Sequence, residues 1–166
     1  MYTLTTPTAS DIPLCLSFID DARAHQREQG FVQWADNYPN ADTVGEDIAL
    51  GRAFMIALDG IPFGYLCIDF AGEPVYNDID GEWKYDGSYA AVHRVAFSDS
   101  ARGKGASREL FRLVRELCRE RGVNAIRIDT HERNKKMQHV LEREGFVHCG
   151  TVYYSGSPRM AYETVF

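Results

Sequence analysis

A chain of 166 residues, 45% hydrophobic and 25% charged, has globular proportions and fits one domain, residues 1–166, that buries roughly two-thirds of its unfolded surface. A net charge of −6 argues against nucleic acid as a partner, because that binding rests on basic patches that neutralise phosphates. No apolar run approaches the ~20 residues that cross a bilayer, and Met1-Tyr2-Thr3-Leu4 lacks the basic-then-apolar order of an export signal, so no membrane partner and a cytoplasmic location are expected.

In chain order, residues 2–6 read as a short strand, followed by a helix capped by Ser10 in which Ile12, Cys15, Leu16, Ile19 and Ala22 recur at helical spacing. Gln29-Gly30 ends it. Residues 31–39 are aromatic and irregular, which puts Trp34 and Tyr38 on a loop. Thr43 and Glu46 form a capping box for a short helix ending near Gly51. Residues 54–58 and 62–70 flank Asp59-Gly60, a hairpin signal because both turn positions tolerate positive φ. Residues 71–88 are rich in Gly, Asp and aromatics, and residues 89–97 suit a central strand. A helix from about 105 to 121 carries Leu110, Leu113, Val114, Leu117 and Cys118 on one stripe and closes at Gly122. Residues 125–130 form a strand. Asn134 caps a further helix with Gly145 after its end, and strands over 146–151 and 159–165 finish the chain. This alternation is a mixed α/β fold.

The four cysteines, Cys15, Cys67, Cys118 and Cys149, lie far apart in apolar segments and read as reduced core residues. No metal is expected. Asp69, Glu73, Asp78, Asp80, Glu82 and Asp86 are opposed only by Lys84, which suits either a cationic small substrate or a solvated acidic loop.

The segment with the strongest chemical signal is Arg102-Gly103-Lys104-Gly105-Ala106-Ser107, between the 89–97 strand and the long helix. Its glycines let the backbone approach a ligand. The first amides of the helix are unsatisfied within it and carry the positive end of its dipole. That is a seat for a pyrophosphate, to which Arg102 and Lys104 add charge; alone, it also fits a plain Gly-rich turn. Neither a Walker loop nor a G-x-G-x-x-G fingerprint is present.

The segment resembles motif A of the GNAT acetyltransferase superfamily, whose signature is Q/R-x-x-G-x-G/A at this strand-to-helix junction. Arg102, Gly105 and Ser107 occupy its fixed positions, with Ser107 where the family has Gly or Ala. Residues 134–146, from Asn134 to the Gly145-Phe146 pair, look like motif B. The resemblance implies a mostly antiparallel mixed sheet of about seven strands with about four helices, splayed between the fourth and fifth strands. It also implies acetyl-CoA as co-substrate. Val95, Ala96 and Phe97 would then bind pantetheine through their backbone as if it were an added strand, and Asn134 would touch the cofactor arm as well as cap its helix.

Acyl transfer to an amine needs that amine neutral. With a lysine-like pKa near ~10.4 only about one molecule in 10³ is neutral at pH 7, a deficit of roughly 4 kcal/mol. His93 shares a strand face with Val95 and Phe97 and matches the proton-accepting histidine of the family's arylalkylamine branch; a half-buried structural histidine is the other reading. His131 is a second candidate base, and Asp129 can bind an ammonium or orient a histidine, with loop capping as the alternative. Glu82 offers a route through a water. Leu141 stands where many family members have a tyrosine acid; Tyr89, Tyr153 or Tyr154 can substitute, and a thiol of pKa near ~8.5 leaves without strong acid help. Trp34, Tyr38 and Trp83 line an acceptor pocket or pack in the core. The expected activity is transfer of acetyl from acetyl-CoA to the primary amine of a small metabolite in a ternary complex. A protein N-terminus or lysine as acceptor, or a non-catalytic acyl-CoA sensor, stays open, as does a homodimer.

Overall fold

The computed structural model describes all 166 residues. In chain order its elements are β1 (Tyr2–Thr5), α1 (Ile12–Glu28), α2 (Ala41–Ala49), β2 (Ala53–Leu58), β3 (Ile61–Asp69), β4 (Asp80–Gly81), β5 (Ala90–Phe97), α3 (Ala106–Glu120), β6 (Ala125–Thr130), α4 (Lys135–Arg143), β7 (Val147–Tyr154) and β8 (Ser157–Val165). The strands make up one open mixed sheet in the order β1-β2-β3-β5-β6-β8-β7-β4, one strand more than the sequence predicts. The chain divides into two compact units, residues 1–68 with 93–113 and residues 69–92 with 114–166, so that β5 and α3 contribute to both. No helix is long and apolar enough to cross a membrane.

In the first unit β1 and β2 pair antiparallel from Tyr2↔Leu58 to Thr5↔Met55, and β2 continues into β3 through Asp59 (φ 50) and Gly60 (φ 81). Two successive left-handed residues make the turn whose twist matches a hairpin, which is why Asp-Gly occurs there. Both predicted helix caps shift. Thr8 rather than Ser10 closes the start of the first helical segment, its amide donating to Asp11 Oδ2 at 2.7 Å. The second helix begins earlier than the Thr43/Glu46 box implies. Asn40 caps it, accepting from the Thr43 amide at 3.0 Å while its own amide donates to Thr43 Oγ1 at 3.2 Å. Asn outranks Thr as a cap, and Thr43 serves as its reciprocal partner. α1 and α2 bury Cys15, Phe18, Ile19 and Val44 with Ala53, Met55, Tyr65 and Ala96, each large apolar side chain contributing about 1.5–3 kcal/mol.

In the second unit β5 pairs in parallel with β6 from Ala90↔Ile126 to Val92↔Ile128, and β6, β8 and β7 follow antiparallel. The last two strands run longer than predicted because Ser155 (φ 49) and Gly156 (φ 80) form a second two-residue left-handed turn. The unpredicted strand, β4, lies in the stretch that reads as irregular and pairs Asp80↔Thr151 and Gly81↔Gly150. A Cβ on Gly81 would sit 2.2 Å from the Cys149 carbonyl oxygen, and one on Gly150 2.2 Å from that of Asp80. Only paired glycines allow this approach, and two residues are too few to register as periodicity. Tyr76, Ala91, Val152 and Ala161 form a second core, flanked by Trp83, Tyr89 and Tyr154.

Candidate active site

The first unit holds the glycine loop. β5 ends at Phe97, a short 3₁₀ turn spans Asp99–Ala101, and α3 starts at Ala106. Gly103 has φ 71 and Gly105 φ 73, while a Cβ on either would meet no atom within 4 Å. The backbone conformation, not packing, therefore requires glycine, and the outer surface of the loop is open. Gly105 O accepts from the amides of Arg108 (3.1 Å) and Glu109 (3.4 Å), which starts the helix and leaves its preceding amides outside the helical ladder, at the positive end of the dipole. With Lys104 exposed and Ala106 buried, these residues fit a pyrophosphate. Ser107, half-buried in the first turn of α3, completes the predicted set. The Arg102 guanidinium binds the Asp99 carboxylate at 2.8 Å and the Asp21 carbonyl at 3.0 Å, tying the loop to α1.

The same unit contains a charged cluster that periodicity does not reveal. Asp47 of α2 is fully buried and accepts from Arg52 Nε (2.8 Å), Tyr65 OH (2.5 Å), Arg94 Nε (3.0 Å) and Arg94 Nη2 (2.6 Å). Burial opposes its ionisation, but the Arg94 guanidinium, aided by Tyr65 and Arg52, outweighs that cost and holds the carboxyl below the usual carboxylate range. Arg94 Nη1 also donates to Tyr38 OH at 3.1 Å, so exposed Tyr38 is fixed by a guanidinium, whereas Trp34 sits in the core. Ala96 belongs to that core, Phe97 stacks on Phe63 at 6.2 Å, and His93 and Val95 are half-buried in the same strand.

The second unit holds the other carboxylate. Asp129, near the end of β6, accepts from Tyr76 OH at 2.7 Å and Tyr154 OH at 3.1 Å, both on Oδ2. Burial raises its pKa despite these two donors, and it drives both phenols above their ordinary value, so they remain protonated donors. Tyr76 is completely buried, and the Trp83 indole N–H donates to its carbonyl at 2.8 Å. Arg127 lies between the rings of Trp83 (4.3 Å) and Tyr89 (4.0 Å) and donates to Glu163 Oε2 at 2.8 Å. Glu163 Oε1 in turn accepts from the Lys84 and Tyr85 amides, which orders the 82–89 segment against β6 and β8.

Of the other predicted residues in this unit, His131 accepts at Nδ1 from the Arg133 amide (3.0 Å). Its pKa is lowered by burial and by Arg159, so neutral imidazole with its proton on Nε2 is the favoured form. Asn134 accepts from the Met137 amide at 3.2 Å as the α4 cap. Glu82 is exposed beyond β4. The four cysteines are buried and unbridged, and burial pushes the Cys15 and Cys118 thiols up to about 11, which suits core residues and not nucleophiles. Asp47, Arg94 and Tyr76 escaped the sequence reading. The available signal was a charge inside an apolar strand, at Arg94 and again at Arg127, since a buried charge requires a partner.

The sequence profile of the Acetyltransferase (GNAT) family matches residues 19–146, a span that includes the glycine loop, Asp47 and Asp129. The chain belongs to the GNAT acetyltransferase family. As such it is an enzyme of the transferase class. Among solved structures, a GNAT family acetyltransferase from Streptococcus agalactiae is 32% identical with a TM-score of 0.89, the match covering 99% of this chain and 95% of that one. A GNAT family acetyltransferase from Listeria monocytogenes is 20% identical, with a TM-score of 0.76 over 99% and 95% of the two chains. The aminoglycoside acetyltransferase AAC(6')-Ib, solved with coenzyme A, shares the fold at 23% identity and a TM-score of 0.71 over 99% and 95%; it has also been solved with coenzyme A and kanamycin. Comparison with curated proteins finds no match.

Proposed function

We propose that this GNAT acetyltransferase, working in the cytoplasm, moves an acetyl group from acetyl-CoA to the primary amine of a small metabolite by direct attack in a ternary complex. The glycine loop supports the donor: Gly103, Lys104, Gly105 and the first amides of α3 hold the pyrophosphate, and the backbone of Val95 and Phe97 holds pantetheine. Acetyl-CoA supplies the activated acyl carbon and a thiolate leaving group.

Asp129 carries the acceptor reading. Both tyrosine hydroxyls bind one of its oxygens, and Oδ1 is the oxygen that would receive the substrate. An ammonium seated there loses a proton to the carboxylate, which leaves the neutral amine that acyl transfer requires. A carboxyl whose pKa is raised by burial is a better-matched base near neutral pH than an ordinary one. Tyr76 and Tyr154 fix its orientation. The departing thiolate needs no strong acid, so Leu141 in place of a motif B tyrosine is tolerable. His93 is the second proton acceptor of this reading. The complex of AAC(6')-Ib with kanamycin, an aminoglycoside and thus an amine, favours a small amine over a peptide.

Calorimetry with acetyl-CoA and thiol release across a panel of amines and peptides test the proposal. Micromolar binding and turnover dependent on small cationic amines are expected. No binding at high micromolar cofactor, or release with peptides alone, overturns it.

A further inference from the structure

We infer that Asp47 of α2 is a positioning residue for the cofactor strand: its carboxylate grips Arg94, and through Arg94 it fixes the left-handed residue of β5 that sets how the backbone of Val95 and Phe97 is presented. The inference rests on the reading of that strand as the pantetheine seat and assigns a new part to a helix residue outside it.

Arg94 has φ 55, a left-handed conformation that a long, non-glycine side chain adopts only where its surroundings over-determine it. Asp47 supplies that constraint. Arg94 Nε and Nη2 bind its two oxygens at 3.0 and 2.6 Å, and Nη1 reaches Tyr38 OH at 3.1 Å, a planar fork that lysine cannot reproduce. Asp47 is itself fixed by Arg52, Tyr65 and complete burial. The guanidinium is therefore anchored to helix α2, and the backbone that carries it has little freedom to relax into an ordinary strand.

The position along β5 gives the anchor its function. The parallel ladder ends at Val92, and the left-handed residue comes two positions later, immediately before Val95. A residue of this kind turns the peptide planes that follow it, as bulges beside functional sites do. Beyond it, β5 is held closely to β3: the Ser98 amide donates to the Phe63 carbonyl at 2.8 Å. A Cβ on Gly64 would lie 2.9 Å from Phe97 Cδ1 and 3.0 Å from the Ala96 carbonyl oxygen. One side of this half-strand is thus committed to β3, and the direction of its remaining polar groups depends on the conformation at Arg94.

Substitutions at position 94 separate this part from that of a plain buried ion pair. Arg94→Ala and Arg94→Gly both delete the guanidinium, but only glycine adopts φ 55 without steric cost. Calorimetric titration of the full chain with coenzyme A should show Arg94→Ala weakened by roughly tenfold or more and Arg94→Gly weakened less, since glycine reaches φ 55 at no steric cost although nothing then holds it there. Asp47→Asn should weaken binding in the parent and add nothing in the Arg94→Gly background, because the guanidinium through which Asp47 acts on β5 is already gone. Equal affinities for the Ala and Gly variants overturn the inference. Should Arg94→Ala not fold, Asp47→Asn, which keeps the volume at that position, decides alone: unaltered affinity for coenzyme A refutes it. Absence of binding by the parent chain would instead sink the reading of the strand as a cofactor seat.

Discussion

Asp47 and Asp129 each accept a tyrosine hydroxyl in the packed interior of their own unit, yet their surroundings drive them in opposite directions. Around Asp47, two guanidinium groups outweigh burial and keep the carboxylate charged. Around Asp129 the donors are neutral phenols, and burial prevails. The first arrangement is a compensated charge, whose main effect is on conformation. The second is a carboxyl whose ionised form burial disfavours, so that its affinity for a proton is raised.

Breaking each member of the pair should produce different losses. Asp129→Asn should lower kcat/KM by about 10²–10⁴-fold, the usual contribution of a positioned base, while raising Tm by roughly 2–4 °C, the shift for about 1 kcal/mol in a chain of this size. A fall in both activity and Tm would contradict the assignment. Asp47→Ala deprives Arg52 and Arg94 of their shared counter-charge, and urea denaturation should register a loss of about 3–5 kcal/mol.

The pH dependence of stability sharpens the contrast. The folded pKa of Asp47 lies below its unfolded value, so its contribution is complete above the ordinary carboxylate pKa of ~3.9 and is lost as pH falls further. For Asp129 the folded pKa lies above the unfolded one, and its contribution is complete below ~3.9 and lost as pH rises through the folded value. Thermal melts should therefore show the advantage of Asp129→Asn growing as pH rises above about 4, and the deficit of Asp47→Asn shrinking below about pH 4. Parallel curves for the two variants would erase the distinction.

Tyr154→Phe should have the smallest effect. It removes one hydrogen bond worth about 1 kcal/mol. Because that bond lowers the pKa of Asp129, the acid limb of the kcat/KM profile should move to higher pH, with little change in the plateau. A limb that stays in place would separate Asp129 from the titration that limits turnover.

Local features were legible from the chain alone. Asp59-Gly60 specifies its turn by residue type, and Gly103 and Gly105 announce a left-handed loop ahead of an amphipathic helix, because each of these depends on neighbours a few residues away. The resemblance to two motifs in the right order then named the family. Sequence did not show that Arg102 ties its loop to α1, that Asn40 takes the cap expected of Thr43, or that a two-residue strand lies within the acidic stretch.

The side-chain chemistry was decided by pairs far apart in sequence. Arg94 finds Asp47 across 47 residues, and Tyr76 finds Asp129 across 53. No periodicity encodes such a pairing; the sheet register and the helices packed on it bring the partners within hydrogen-bond reach. The sequence by itself determined the order of the longer elements, the left-handed glycine loop ahead of α3 and the family. The tertiary structure alone decided which buried carboxylate is compensated and which is not, because the free energy of a charge depends on the groups that surround it in space.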